Sequence, residues 1–201
     1  MKESENKSRT LSNSRKGKGR FFTISAPSGT GKTTLVVRLL KEFPNLKRSI
    51  SCTTRPPRPG EKEGVDYYFL DRETFEKMLK KDSFFEHEEV HGAFYGTPKA
   101  PILQRRAEGL DTILDIDTRG AQNLKKAFPD TCSIFLMPPS LEVLEERLRK
   151  RQTEEESSLQ RRLQDARSQM DEHDKFDYVI MNDDVDRAYE QLRKIILKKI
   201  K

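Results

Sequence analysis

The stretch Ser25-Ala26-Pro27-Ser28-Gly29-Thr30-Gly31-Lys32-Thr33-Thr34 constrains this 201-residue chain more than any other. Phe21, Phe22, Thr23 and Ile24 precede it, a short β-rich run suited to a buried strand. Leu35, Val36, Val37, Leu39 and Leu40 follow it with helix-like apolar spacing. A strand that passes through a glycine-bearing hinge straight into a helix is the unit from which alternating α/β chains are built.

The hinge has a chemistry as well as a shape. Gly31-Lys32-Thr33 closes the spacing G-x-x-x-x-G-K-[ST], with Ala26 at the first position in place of glycine. Glycines let the backbone turn so that successive N–H groups point inward and form an anion nest at a helix N-terminus. Lys32 then offers a mobile positive charge to the β- and γ-phosphates, and the Thr33 hydroxyl is placed to meet Mg²⁺. The first position has only to be small, and alanine adds one methyl group there. The plain alternative is an ordinary glycine-rich turn between strand and helix. Correct spacing with the correct elements on both sides favours a nucleoside triphosphate site made by Ala26, Pro27, Ser28, Gly29, Thr30, Gly31, Lys32, Thr33 and Thr34.

The length suits one domain with room for an inserted subdomain and a real core. A mean hydropathy of -0.85 is polar for an enzyme, and no apolar run approaches a membrane span. The first twenty residues lack the apolar region of a secretory signal. Cys52 and Cys132 match no zinc or redox spacing and fit reduced thiols, so a cytoplasmic setting without membrane attachment is expected. The net charge of +6 is unevenly spread: residues 1 to 20 hold seven basic and two acidic side chains, leaving +1 on the rest. The basicity is mostly a Ser/Lys/Arg-rich tail that reads as disordered, not a nucleic-acid-binding platform.

Beyond the hinge, helices and strands alternate. A helix from about Thr33 stops before Pro44. The turn-rich segment Arg55 to Gly64 separates Ser49-Ile50-Ser51 from Asp66-Tyr67-Tyr68-Phe69-Leu70. Asp71 caps a helix to about Lys81, and Phe84 to Val90 is a strand. Thr97-Pro98 starts another helix, with Pro98 at its first position. Thr112 to Ile116 and Ser133 to Met137 are buried strands. Gly120 falls in the helix between them, and another helix starts from Ser140. Thr153 and Glu156 have capping-box spacing and open a charged helix to about His173. A strand from Tyr178 to Met181 and a helix from Asp184 end the chain. This order implies a parallel sheet with helices on both faces.

Several spaced segments then resemble the guanylate kinase family. They are Ser51-Cys52-Thr53-Thr54-Arg55-Pro56-Pro57-Arg58-Pro59-Gly60-Glu61 with Gly64 and Asp66-Tyr67, then Gly92-Ala93-Phe94-Tyr95-Gly96-Thr97, Leu114-Asp115-Ile116-Asp117 and Asn182-Asp183-Asp184. The resemblance covers about Gly19 to the C-terminus. It implies an α/β fold: a parallel-sheet phosphate-loop core (19–50 and 98–201), an inserted mixed α+β GMP-binding subdomain (51–97), a helical lid (about 140–172) and a tail (1–18). It also implies transfer of a phosphoryl group from ATP to GMP or dGMP.

The same resemblance assigns the site. Arg55 and Arg58 clamp the GMP phosphate with bidentate donors, while Tyr67 and Tyr95 add phenolic hydrogen bonds. Glu86 accepts from guanine N1–H and N2–H₂, with the hydroxyls of Ser51 and Thr97 reading the rest of the base edge; without context, Glu86 is one acid in an exposed run. Asp115 and Asp117 alternate on one strand face, where a carboxylate holds Mg²⁺ partly through water. Asp115 is favoured for the metal with Thr33, and Asp117 for the GMP side. Arg147, Arg151 and Arg162 bring positive charge to the migrating group with Lys32, although each also suits a salt-bridged helix face. Asn182 is assigned to the ATP side, and Gln152 stands in the lid where many relatives have glycine. The histidines form no ligand set.

The resulting expectation is a cytoplasmic enzyme acting on ATP and GMP with Mg²⁺, monomeric or homodimeric, with no specific nucleic-acid partner. A non-catalytic guanylate-kinase-like interaction module and an enzyme for another monophosphate are the alternatives. Intact Lys32 with arginines on both substrate sides opposes the first, and Glu86 in its motif opposes the second. Because residues 1 to 18 carry almost no apolar side chains, truncation before Gly19 is expected to leave melting temperature and GMP turnover unchanged. Any loss should be of salt-sensitive affinity for anionic polymers or surfaces, read by melting and by GMP assay at two salt concentrations.

Overall fold

In this computed structural model, residues 17–90, 92–150 and 156–200 are described. Five strands form one sheet in the order β2 (Lys47–Arg48), β7 (Thr112–Asp115), β1 (Phe21–Ser25), β8 (Cys132–Met137), β9 (Tyr178–Met181). Every pairing in it is parallel. Each crossover runs through a helix or a longer excursion, as parallel neighbours require. The fold is therefore α/β, with the phosphate-loop strand at the centre of the sheet.

Both faces of the sheet are buried, which explains why its strands read as continuous apolar runs. On one face, Phe22, Ile24, Ile113, Ile134, Leu136 and Ile180 meet α1 (Lys32–Glu42) and α7 (Val185–Ile200) through Leu35, Val36, Leu39, Ala188, Leu192 and Ile196. On the other, Phe21, Leu114, Phe135 and Met137 meet α3 (Lys99–Ala107) and α4 (Thr118–Ala127) through Ile102, Ala121 and Leu124. Neighbouring residues such as Phe21 and Phe22 thus serve opposite layers, as the two-residue strand period dictates.

A second, four-stranded sheet is drawn from residues 51 to 98, in the order β4 (Tyr67–Phe69), β3 (Ser51–Thr53), β6 (Ala93–Pro98), β5 (Phe84–Val90). It is mixed: β3 and β4 are parallel, whereas β6 runs antiparallel to β3 and β5. Its small core closes under α2 (Arg72–Lys80), where Phe75 stacks between Phe84 and Phe94 at centroid distances of 4.5 and 5.3 Å. Asp71 caps α2 by accepting from Thr74 N at 2.7 Å. Gly96 has no room for a side chain, because a Cβ there would lie 2.9 Å from the Phe84 ring.

Two further helices, α5 (Leu141–Arg149) and α6 (Glu156–Met170), pack mainly on each other through Leu144, Leu148, Leu159 and Ala166. Ser140 caps α5 through Val143 N. The proposed cap at Thr153, together with Arg151 and Gln152, lies outside the described residues.

Among the boundaries that differ from the sequence reading, three change a residue's role. Pro98 is the N-cap of α3 in extended conformation, and β6 continues through it, because Phe84 pairs with it across the sheet. The helix expected to reach His173 ends at Met170, and His173–Lys175 is a 3₁₀ turn whose start is held by His173 Nδ1 on Met170 O. Strand β7 ends at Asp115, so Asp117 leaves the strand and becomes the N-cap of α4, accepting from Gly120 N at 2.6 Å.

Replacing Phe75 by alanine empties the space between two stacked rings, and the cost should be about 3–5 kcal/mol, measured by urea unfolding.

Candidate active site

The hinge after β1 folds as its glycines allow. Gly29 and Gly31 sit at φ +90° and +98°, in the left-handed region, and Gly31 is the N-cap of α1. A side chain at Gly31 would also lie 2.8 Å from Asn182 Nδ2, and one at Gly29 would reach 2.9 Å from Leu148 Cδ2. Thr30 N donates to Pro27 O at 3.2 Å, while Thr30 O accepts from Asn182 Nδ2 at 2.6 Å and Arg147 Nη1 at 3.4 Å. Ser25 Oγ donates to Ile116 O at 2.8 Å and Asp117 O at 3.2 Å, which ties the hinge to the end of β7. These bonds leave the loop N–H groups at the start of α1, where its dipole is positive.

A cavity of about 420 Å³ opens above this loop and is lined by Ala26 to Thr34, Ser51, Tyr67, Glu86, Glu88, Tyr95, Gly96, Asp115, Ile116, Asp117 and Gln169. Residues far apart in sequence thus meet across the gap between the two sheets. Lys32 Nζ pairs with Asp115 Oδ1, whose other oxygen accepts from Arg48 Nη2 at 3.3 Å. Thr33, Asp115 and Asp117 bring hard oxygen donors to this cavity.

Glu86 lines the same cavity from β5. Thr97 Oγ1 donates to its Oε1, and Ser51 Oγ lies 3.5 Å from Thr97 Oγ1. Helix α4 comes close because Gly120 has no Cβ; one would lie 2.7 Å from Glu86 Cγ. That burial pushes the Glu86 carboxyl up to about 7, with the negative charges of Asp117 and Glu88 adding to it against the Thr97 hydrogen bond. Glu88, two residues on along the strand, is raised as well, by burial and by Asp117.

Arg55 and Arg58 do not line this cavity. Arg55 contacts a tyrosine that does: its guanidinium lies 5.0 Å from the Tyr67 ring centroid, and both ends of its fork bind Glu61 at 2.6 Å. Tyr67 and Tyr95 are in edge contact with centroids 6.1 Å apart.

A second cavity of about 330 Å³ shares Gly29, Thr30, Gly31 and Thr34 with the first and is lined further by Arg147, Lys150, Asn182 and Val185. Arg147 Nη2 donates to Asn182 O at 3.2 Å, so Arg147 and Asn182 bind the loop and each other. Arg162, from α6, donates to Ser28 Oγ at 2.5 Å. Arg151 lies outside the described residues.

Three site groups escaped the sequence reading. Glu88 had a usable signal, since it repeats Glu86 at the strand period of two. Arg48 reaches Asp115 from an edge strand, and Gln169 reaches the cavity from α6; no local motif marks either.

A central parallel strand feeding a left-handed glycine turn with Lys32 at the mouth of a cleft defines a phosphate-loop nucleotide-binding protein. The guanylate kinase family model matches residues 18–199. The guanylate kinase of Synechococcus sp. (strain JA-3-3Ab) is 46% identical over 179 residues, covering 89% of this chain and 82% of that one. That of Myxococcus xanthus (strain DK1622) is 47% identical over 180 residues, 89% of this chain and 86% of its own. The crystal structure of guanylate kinase from Anaplasma phagocytophilum superposes with a TM-score of 0.69 at 34% identity, covering 92% of this chain and 89% of that one. The chain belongs to the guanylate kinase family.

Proposed function

We propose that this chain is a working ATP:GMP phosphotransferase, giving ADP and GDP from ATP and GMP or dGMP. The observation that carries the reading is the joint presence, in one cavity, of Lys32 on its phosphate loop and Glu86 on β5. A nucleoside triphosphate on the loop and a monophosphate with its base on Glu86 would face each other there. An oxygen of the GMP phosphate attacks the γ-phosphorus, the β–γ bridging P–O bond breaks, and ADP leaves.

Such a transfer needs positioning and positive charge more than a base. Lys32 leaves Asp115 for the β- and γ-phosphates. Arg147, Arg151 and Arg162 neutralise charge from the helical side, and Arg55 and Arg58 hold the GMP phosphate with Tyr67 and Tyr95. Glu86, Ser51 and Thr97 read guanine; adenine offers no N2 donor to Glu86. Asp117 borders the GMP side while its Oδ1 caps α4. Asn182 holds the ATP side indirectly, through the Thr30 carbonyl. Thr33, with Asp115 partly through water, fits Mg²⁺, since both bring hard oxygen donors beside the loop. When bound, the ion spreads the phosphates' negative charge.

The reading divides the chain into a tail (1–18), a core (19–50 and 98–201), a GMP-binding insert (51–97) and a lid (about 140–172). It places the enzyme in the cytoplasm, as a monomer or homodimer without a specific nucleic-acid partner. Among the described residues no helix is long and apolar enough to cross a membrane. The test is ADP release measured with GMP, AMP, dTMP and no acceptor. Release with GMP alone supports the reading, and release with none of them would instead make the chain a non-catalytic module.

Two outcomes are expected in that assay. Lys32→Ala, in a folded protein, should lower kcat by about 10²-fold or more, since the loop loses its phosphate cation.

For Glu86 the sign follows from its raised pKa of about 7. Below pH 7 the carboxyl is protonated and gives up an acceptor, so kcat/KM for GMP should fall as pH drops from 8 to 6. Glu86→Gln should lower GMP efficiency by about 10²-fold at pH 8 and remove that part of the pH dependence, as read from the two profiles side by side.

A further inference from the structure

Asp115 bears two cations, and only one of them belongs to the phosphate loop. Lys32 Nζ pairs with its Oδ1, and Arg48 Nη2 donates to its Oδ2 at 3.3 Å. The Asp115 side chain is 16% exposed and lines the cavity, whereas Arg48 is not among the lining residues. Arg48 belongs to β2, a two-residue strand at the edge of the first sheet. The register with β7 sets Arg48 beside Ile113, so Arg48 shares a sheet face with Asp115, two residues further on. An arginine is long enough to cover that diagonal, and it meets the oxygen that Lys32 does not use. Arg105 Nη1 donates to Arg48 O at 2.7 Å, which ties the short strand's backbone to α3.

Stability does not account for this contact. The Arg48 side chain is 44% exposed, and an ion pair that open to water contributes little to folding. Its consequence lies in what Lys32 has to do. Under the reading above, Lys32 exchanges Asp115 for the β- and γ-phosphates. Were Lys32 the sole cation on Asp115, its departure would leave a shielded carboxylate uncompensated beside a polyanion, which is costly. Were Lys32 to stay divided between the two, it would hold the nucleotide less firmly. A second cation on the other oxygen removes both difficulties, because Asp115 remains paired when Lys32 leaves.

We propose that Arg48 is a positioning residue for ATP: by holding Oδ2 of Asp115 it frees Lys32 for the phosphates and keeps the carboxylate paired while nucleotide is bound. The inference rests on the ATP reading above. Arg48 touches no reacting atom and acts through Asp115 alone.

The test is a double-mutant cycle on the full chain, with wild type, Arg48→Ala, Asp115→Asn and the double variant. Calorimetry gives the dissociation constant of a non-hydrolysable ATP analogue with Mg²⁺ for each. Arg48→Ala should raise that constant about tenfold beside an intact Asp115, but by less than about twofold beside Asp115→Asn, where the carboxylate is gone. Arg48 meets Asp115 through one nitrogen, so Arg48→Lys should recover most of the affinity, whereas the uncharged Arg48→Gln should not. The melting temperature of Arg48→Ala should match that of the wild type. Asp115→Ala carries the same comparison if the asparagine variant fails to fold. The proposal is overturned if Arg48→Ala binds the analogue as tightly as the wild type. It is equally overturned if the loss is the same in both backgrounds, which would make Arg48 a direct attractor of the nucleotide. A wild type that does not bind the analogue would instead remove the ATP reading itself, and the role of Arg48 with it.

Discussion

The carbonyl oxygen of Thr30 is the point on which the phosphate loop depends. It accepts from Asn182 Nδ2, just beyond β9, and from Arg147 Nη1 on α5. A left-handed turn with two glycines has little rigidity of its own, since glycine gives up more backbone freedom on folding than any other residue. Tying its middle residue to two other elements offsets that cost and fixes where the amides point. The Ser25 hydroxyl does the same at the entry, on the carbonyls of Ile116 and Asp117. Loop, Asp115 and α4's cap are therefore tied together.

Charge around the cavity is paired within the chain. Lys32 rests on Asp115, with Arg48 on the same carboxylate, and Arg55 rests on Glu61. Lys32 and Arg55 thus each hold a carboxylate of the chain itself.

The central unit was legible because several signals coincided within a few residues: strand run, glycines, Lys32 and amphipathic spacing. The cap at Asp71 was legible for the same reason, as local side-chain-to-backbone chemistry. What stayed hidden was decided at long range. Lys47 and Arg48 form a two-residue edge strand with both side chains exposed, which leaves no apolar pattern to read. Strand β6 was seen only as a motif, because Gly96 is small for the sake of the Phe84 ring and so breaks the alternation. The turn of Asp117 out of its strand depends on where α4 begins. In the site, Glu86 could be picked out by its motif, but the commitment of Arg55 to Glu61 and the reach of Arg48 to Asp115, 67 residues away, are properties of the folded backbone.

Glu86 belongs to the second sheet, yet much of what buries it is the Gly120 end of α4, a helix of the first. Its proton affinity is therefore a gauge of the distance between the two sheets. If they part, water reaches the carboxylate and its pKa relaxes towards that of an ordinary glutamate. If they close, the proton is held more tightly unless a donor arrives to replace it. Under the proposed binding of guanine at Glu86, the base would be such a donor, and bringing the two sheets together would then be coupled to keeping Glu86 charged.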